Sequence, residues 1–496
     1  MNYISTRSAY CVSPSDAVLM GIAPDGGLFV PENFIDVKDE LQVWKNLRYE
    51  ELAARVLSLY FTDFTAKELL SYTQAAYTGQ FPAEIVPVKN IYGDVFMMEL
   101  FCGPTLAFKD MALQVLPHLM GAAMQKTGVE KDILILVATS GDTGKAALEG
   151  FCDVERTAIA VFYPQDGVSA AQRLQMVAQQ GDNVHVCAVN GNFDDAQTGV
   201  KEIFTDEAFV KQIDEKGYRF SSANSINWGR LSPQITYYFW TYFKMAQQGS
   251  ISFGDAVNIV VPTGNFGNIL AAYYAKRMGL PVHKLICASN RNNVLTDFFQ
   301  TGRYDVHRTF YRTASPSMDI LISSNLERLL FELCGRDTER LEHMMLGLKE
   351  KGTLDMDEAM KQRVDSLFYA GFLDDEATKA EIGSVYHAQG YLMDTHTAVA
   401  HGVYRQYVHA CGDETPTMIA ATASPFKFAP HVLSAIGEAV PKDELQSYRL
   451  LSKATGLPLP AQISQLETAA VRHRAYCEKD GMRADLLRWI DASAGK

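Results

Sequence analysis

Two stretches, DILILVATSGDTGKAALEGF from Asp132 and AVNIVVPTGNFGNILAAYYAKRMG from Ala256, each run a β-branched apolar segment into a glycine turn and then into a helical pattern. An apolar run of that length closed by turn residues is a strand buried on both faces, and such strands belong to parallel sheets covered by helices. Further strand candidates at TAIAVFYP, NVHVCAVN and HKLICASN continue the alternation, so the chain predicts α/β layers over mostly parallel sheets. Helices opened by glycine turns are where such folds hold anions.

The other segments set limits. With 496 residues, 47% of them hydrophobic, the chain can bury more than one core. The first ninety residues differ in pattern from the remainder: ELAARVLSLYF and AKELLSYTQAAY read as amphipathic helices, and Pro82 and Pro87 close the region. Between about Asp337 and Gly390 the chain is charged and helical and is expected to decorate a sheet. A net charge of −13 with scattered lysines and arginines excludes nucleic acid and anionic membrane as partners. The eight cysteines form no C-x-x-C pair and no metal-type spacing to a histidine, so no metal and a reduced, cytoplasmic setting are expected. The opening residues lack the apolar core of a secretory signal, and no run approaches a membrane span.

Three stretches carry chemistry. VPTGNFGNIL delivers Gly264, Asn265, Phe266, Gly267 and Asn268 to a helix N-terminus, where free N–H groups and the positive dipole end suit a phosphate; a plain tight βα loop is the alternative. VATSGDTGKAA gathers Thr139, Ser140, Asp142 and Thr143 at a second junction suited to a carboxylate, or simply to capping its own helix. It is neither a dinucleotide fingerprint nor a Walker sequence. In CGPTLAFKD, Lys109 follows a Gly-Pro turn in an apolar setting, where desolvation lowers an amine's pKa and frees it as a nucleophile. A surface lysine is the bland alternative. Lysine, phosphate cup and hydroxyl loop together imply pyridoxal 5'-phosphate.

At this point the chain resembles threonine synthases of the tryptophan-synthase-β-like class. The resemblance rests on YISTR, APDGGLFVPE, FCGPTLAFKD, ATSGDTGKAA, NSINWGR, VPTGNFGNI, VLTDFFQTGRY, SPSMDILISSNLERLLFE, HTAVA and ATASPFKF, which run nearly the whole length. It implies a fold type II pyridoxal-phosphate enzyme: two three-layer α/β/α domains with the cofactor between them, plus a small N-terminal domain. The corresponding segments are 1–90, 91–230 with the lysine and carboxylate loop, and 231–496 with the phosphate loop and a helical insertion.

By the same resemblance Lys109 is similar to the Schiff-base lysine and proton shuttle, and Gly264 through Asn268 to the cofactor-phosphate cup. Thr139, Ser140 and Thr143 are similar to the loop holding the substrate carboxylate, with Asp142 beside the cofactor's 3'-oxygen and sharing a proton there. Thr422 is similar to the hydroxyl facing the pyridine nitrogen. Ser169 and Arg173, with Asn224, Asn227 and Arg230, lie where family members supply donors to the substrate phosphate; Asn227 and Arg230 are favoured, and Arg173 is equally a solvated helix residue. Cys102 stands where histidine is frequent and reads as a packing residue, and Thr395 replaces a frequent proline. His396 lies in a family motif but is equally a hydrogen-bonded core histidine. The aromatic run TYYFWTYF is expected in the core or a subunit contact. The implied reaction takes O-phospho-L-homoserine and water to L-threonine and phosphate, in a monomer or homodimer. The rivals are a phospho-lyase releasing 2-oxobutyrate from the same substrate and a silent binding protein that keeps the fold.

Overall fold

In the strand Val257–Pro262, Ile259 and Val261 pack with the helices Pro233–Gln247 and Gly267–Arg277, whereas Val260 joins a separate core with Ala398, Val399 and Val403 of the helix Thr395–Cys411. Successive strand residues face opposite ways, so one apolar run feeds two helical layers. The same division occurs in Asp132–Ala138. There Ile133, Ile135 and Val137 share a core with Ala146 and Leu148, and Leu134 and Leu136 share one with Ile203, Phe209 and Leu486. Two α/β/α sandwiches result, as expected from the continuous apolar runs.

The computed structural model describes residues 1–139, 141–165 and 168–493. One sheet has six strands in the order Phe368–Phe372, Val282–Ser289, Val257–Pro262, Thr417–Ala421, Val95–Glu99 and Val88–Tyr92, all pairs parallel except the last. The other has five parallel strands in the order Ala475–Glu478, Val184–Asn190, Thr157–Pro164, Asp132–Ala138 and Tyr218–Ser221. Among the described residues no helix is long and apolar enough to cross a membrane.

The sheets cut across the segments expected from sequence. Val88–Tyr92 and Val95–Glu99 bond to the larger sheet, although the second lies within 91–230, and Ala475–Glu478 from the chain's far end completes the smaller sheet's edge. Short strands paired with distant partners leave no local sequence boundary. The charged region between Asp337 and Gly390 does more than decorate: its apolar stretch Phe368–Phe372 is the edge strand of the six-stranded sheet.

The N-terminal region pairs Tyr3–Ser5 antiparallel with Cys11–Val12 and Phe29–Pro31. Its helices Tyr49–Tyr60 and Ala66–Tyr77 fall where the amphipathic patterns predict, the second opened by a Thr65/Glu68 capping box. Trp228 of NSINWGR is fully buried against Tyr3, Phe34, Tyr60 and Tyr274, which joins this region to the larger body.

Candidate active site

The segment FCGPTLAFKD leaves the carboxyl end of Val95–Glu99 and folds onto itself through Asp110. The Asp110 carboxylate accepts bonds from Thr105 N at 2.8 Å and Thr105 Oγ1 at 2.6 Å. Gly103 is required here, since a Cβ on it would lie 2.6 Å from Asp110 Oδ2. Phe108 N donates to Thr422 O at 2.8 Å, tying the loop to the end of the neighbouring strand. Lys109 is thereby fixed just before the short helix Asp110–Leu113.

Lys109 is buried, with Nζ 3.2 Å from Ser317 Oγ and 3.8 Å from Asp142 Oδ2. Burial pushes its amine down to about 8; Asp142 pulls the other way, and the Arg230 and Lys427 cations add to the depression. The setting gives the near-neutral amine that the sequence argument required. Asp110 is pushed up to about 6 by burial, against its Thr105 bonds. Cys102 is pushed up to about 12, chiefly by burial, which leaves it a protonated packing residue at neutral pH.

Gly264 to Asn268 form a cradle at the carboxyl end of Val257–Pro262. Phe266 takes the left-handed conformation, φ 63°, immediately before the helix Gly267–Arg277. A Cβ on Gly264 would lie 2.6 Å from Ser317 O, so the loop bearing the lysine's hydroxyl partner is seated directly on that glycine. Ser323 Oγ donates to Gly264 O at 2.7 Å, and Asn325 holds Asn265 O through its backbone N–H at 3.1 Å and Nδ2 at 3.0 Å. The aromatic run expected in the core lies on the buried helix Pro233–Gln247 and serves the cradle as well. Tyr237 Oη donates to Asn268 Oδ1 at 2.8 Å, and Tyr238 Oη bonds the same oxygen. With Oδ1 so held, Asn268 Nδ2 is a buried donor with no acceptor among the described residues.

The third stretch lies at the carboxyl end of Asp132–Ala138. Thr139 Oγ1 accepts from Gly141 N at 3.0 Å and Gly144 N at 2.9 Å, so its hydroxyl shapes the loop from within. Thr143 is half-buried on the first turn of the helix Asp142–Phe151. Ser140 lies outside the described residues. Asp142 has a partner that the sequence argument did not single out: Lys427 Nζ lies 2.9 Å from Oδ1 and also donates to Thr105 O at 2.9 Å. Burial alone would raise the Asp142 carboxyl, but Lys427 and Lys109 hold it well below the ordinary carboxylate range. In the protein Asp142 is thus held ionised by an ion pair with Lys427.

The remaining candidates divide. Ser169 caps the helix Ala170–Val177 and lines a cleft of about 580 Å³ together with Gln172, Lys427 and Asp319. Gln172 Nε2 donates to Asp142 Oδ1 at 3.2 Å, which draws the start of that helix to the site. Arg173 is exposed on the same helix. Asn224 is half-buried at the NSINWGR turn. Asn227, favoured from sequence as a phosphate donor, uses both amide hydrogens at 2.9 Å on Val18 O and Ser222 O, and its Oδ1 accepts from Gly229 N. Its side chain is spent on joining the turn to the N-terminal region. Arg230 differs: it is buried, donates to Ala223 O at 2.8 Å, and has no carboxylate in ion-pair range among the described residues. Burial pushes its guanidinium down to about 10.

Ser317 and Lys427 are the site residues that sequence reasoning missed. Both stand within family motifs, SPSMD and SPFKF, but a serine and a lysine more than 200 positions from Lys109 carry no local sign of meeting it. Ser317 is itself steadied by His396, whose Nε2 accepts from Ser317 N at 3.1 Å while Nδ1 bonds Asp394 at 2.9 Å. This arrangement fixes the neutral Nδ1–H tautomer and makes the histidine a positioning group.

Residues 2–77 match the family described as threonine synthase N terminus, and residues 78–419 match that of pyridoxal-phosphate dependent enzymes. The human protein named threonine synthase-like 1 is 42% identical over 436 residues, covering 85% of this chain; the chain spans only 58% of that relative's length. The threonine synthase of Pseudomonas aeruginosa is 40% identical over 447 residues, covering 88% of this chain and 91% of that protein. Among solved structures, the pyridoxal-phosphate-bound threonine synthase of Brucella melitensis superposes with a TM-score of 0.87 at 36% identity, covering 99% of each chain.

Proposed function

Since the chain belongs to the threonine synthase family of pyridoxal-phosphate-dependent enzymes, we propose that it converts O-phospho-L-homoserine and water to L-threonine and phosphate, as a cytoplasmic monomer or homodimer. The observation that carries the reading is the buried Lys109 amine, 3.2 Å from Ser317 Oγ on the loop seated against Gly264, with the Arg230 cation close enough to depress it, so that two features suited to anions flank it. One is the cradle, where Asn268 Nδ2 has no acceptor among the described residues, and the other is the Arg230 guanidinium, with no carboxylate in ion-pair range among them.

The residues suit the cofactor. Gly264, Asn265, Phe266, Gly267 and Asn268 would hold its phosphate, since Asn268 Nδ2 has no acceptor among the described residues and Gly264 has no room for a Cβ. Lys109 would bind its aldehyde carbon, Asp142 would sit toward its 3'-oxygen, and Thr422 would face its pyridine nitrogen. When bound, pyridoxal phosphate supplies an electron sink for negative charge developing at the substrate's α-carbon.

Lys109 Nζ is the base that takes the α-proton and the acid that returns protons along the chain. Its lowered pKa lets it hold and release a proton at neutral pH. Ser317 Oγ orients that amine, and Lys427, more than Lys109, keeps Asp142 ionised. Arg230 binds the substrate phosphate, a role supported by its burial and lack of a carboxylate. Ser169, which lines the cleft, and Arg173, exposed on the same helix, would serve as further donors, and Thr139, Ser140 and Thr143 would receive the substrate carboxylate.

The test is an absorbance spectrum of the purified protein before and after O-phospho-L-homoserine, with products assayed in the same tube. A visible cofactor band that changes on substrate addition while threonine and phosphate appear in equal amounts is the expected result. Phosphate with 2-oxobutyrate and no threonine would instead assign the phospho-lyase reaction. No band after adding pyridoxal phosphate would leave a silent fold.

A further inference from the structure

Four metal-ligating side chains converge on the small sheet's edge, apart from the lysine site. His185 and Cys187 stand two residues apart on the strand Val184–Asn190 and so share a face. Cys477 comes from the neighbouring parallel strand Ala475–Glu478, and Asp485 from the C-terminal helix Met482–Ser493. The ligand atoms of His185, Cys187 and Asp485 all lie within 4.8 Å of one another, and the Cys187 and Cys477 sulfurs are 3.6 Å apart. All four residues are buried.

The strand register separates this arrangement from a disulfide. Ala475 pairs with Cys187, and Cys477 pairs with Val189, two positions further along. A lateral spacing of about 4.8 Å and an axial offset of about 6.6 Å place the two cysteine Cα atoms roughly 8 Å apart. That exceeds the usual disulfide span of about 4.4–6.8 Å. The sulfur separation instead matches a shared ion: tetrahedral zinc, with bonds of about 2.3 Å to sulfur, holds two thiolates roughly 3.8 Å apart. To complete the tetrahedron, His185 Nε2 and Asp485 Oδ2, now hydrogen-bonded at 2.7 Å, must part slightly, and the Cys477 sulfur, which is not among the three mutually close ligands, must move in beside Cys187. His185 and Asp485 are held from outside. Trp489 stacks on the His185 ring with centroids 5.0 Å apart, and Arg488 Nη2 donates to Asp485 Oδ1 at 3.2 Å.

We propose that His185, Cys187, Cys477 and Asp485 form a structural zinc site that pins the C-terminal strand and helix to the small sheet. Two thiolates, an imidazole and a carboxylate favour a borderline-soft ion with no redox chemistry and leave no position open for substrate. Binding releases the two thiol protons to solvent, and the imidazole proton moves from Nε2 to Nδ1. No local spacing announces the site, because its two halves lie about 290 residues apart.

Holoenzyme purified under reducing conditions from zinc-supplemented cells is expected to carry about one zinc per chain by elemental analysis. Cys187→Ser and Cys477→Ser should each lose it while keeping the cofactor band. Should those variants fail to fold, cobalt(II) exchanged into the wild type supplies a second readout. Tetrahedral thiolate-bound cobalt gives intense bands at the red end of the spectrum, clear of the cofactor, and Asp485→Asn should weaken them. A chelator should open residues 475–493 to protease without bleaching the cofactor. Wild-type protein that carries no zinc and gives no tetrahedral cobalt spectrum overturns the proposal. So does a mass two hydrogens short on a peptide pair joining Cys187 to Cys477.

Discussion

Lys109 is where burial and charge compete most directly, and its ionisation makes predictions with definite signs. Its folded value of about 8 lies below the unfolded lysine value of about 10.4, so the unfolded chain binds more protons between those limits. The apoenzyme should therefore gain stability as pH rises from 8 toward 10.4, and Lys109→Met apoenzyme should lack that gain; thermal melts of both across this range decide it. The same variant should lose more than about 10⁴-fold in threonine formation, since proton transfer and cofactor attachment go together. Lys427 acts on this amine indirectly. Lys427→Met removes a repelling cation and releases Asp142 to pair with Lys109, and both changes favour the protonated lysine. The midpoint of pyridoxal-phosphate uptake rate against pH should then move alkaline by roughly one unit or more; an unmoved midpoint would mean that Lys427 has no electrical hold on the site. The lowered lysine itself was legible in the sequence, because its largest cause, burial, is prepared locally by the turn, Phe108 and the apolar flanks, whereas the Arg230 and Lys427 cations that add to it are not local. The countercharge on Asp142 was not legible, because nothing near Asp142 predicts an ammonium supplied from residue 427.

At the scale of elements, the two glycine turns were readable because a strand, a turn and a helix in sequence are also adjacent in space. The burial pattern of each strand then followed from its side-chain alternation. Asn227 shows where such reading runs out. An asparagine beside an arginine in NSINWGR looks like a phosphate donor, but its amide is spent on Val18 O and Ser222 O, partners set by tertiary packing. Arg230 remains the candidate, since among the described residues it has no carboxylate in ion-pair range. Arg230→Met should raise KM for the phosphorylated substrate by roughly 100-fold with little loss of cofactor, since a charge-assisted pair contributes about 1.5–3 kcal/mol. Steady-state kinetics with the cofactor spectrum as control will separate that outcome from a general disruption. The cradle makes a complementary prediction. In Gly264→Ala the new Cβ meets Ser317 O at 2.6 Å, so the loop that orients Lys109 must move. Cofactor affinity should fall by about tenfold or more, a cost of roughly 1.4 kcal/mol or above, as read by titrating apoenzyme with pyridoxal phosphate. Retained affinity would mean that the Ser317 loop yields without consequence.

Over the whole molecule, the N-terminal region is wired to the turn of residues 264–268 through one side chain. Arg328 is fully buried; its Nε and Nη2 donate to Phe29 O at 3.0 and 2.8 Å, and Nη2 also reaches Ile226 O at 2.6 Å. Its Nη1 donates to Asn325 Oδ1 at 2.7 Å, and Asn325 in turn holds Asn265 O. A strand of the small antiparallel sheet, the NSINWGR turn and the turn of residues 264–268 therefore share one guanidinium. No sequence pattern announces this, since the partners are backbone carbonyls spread over some 300 residues. The planar fork is what the geometry uses, so lysine cannot replace it. Arg328→Met keeps the volume but leaves the carbonyls of Phe29 and Ile226 buried without donors, at about 1–3 kcal/mol each. The thermal midpoint should fall in both apo- and holoenzyme. Cofactor affinity should fall as well, because Asn325 loses the bond that aims it at Asn265. Lys in place of Met should recover little of either. If the midpoint drops while pyridoxal-phosphate affinity stays at the wild-type value, the N-terminal region is a passive cover; if both drop together, it is part of the machinery that shapes the cradle.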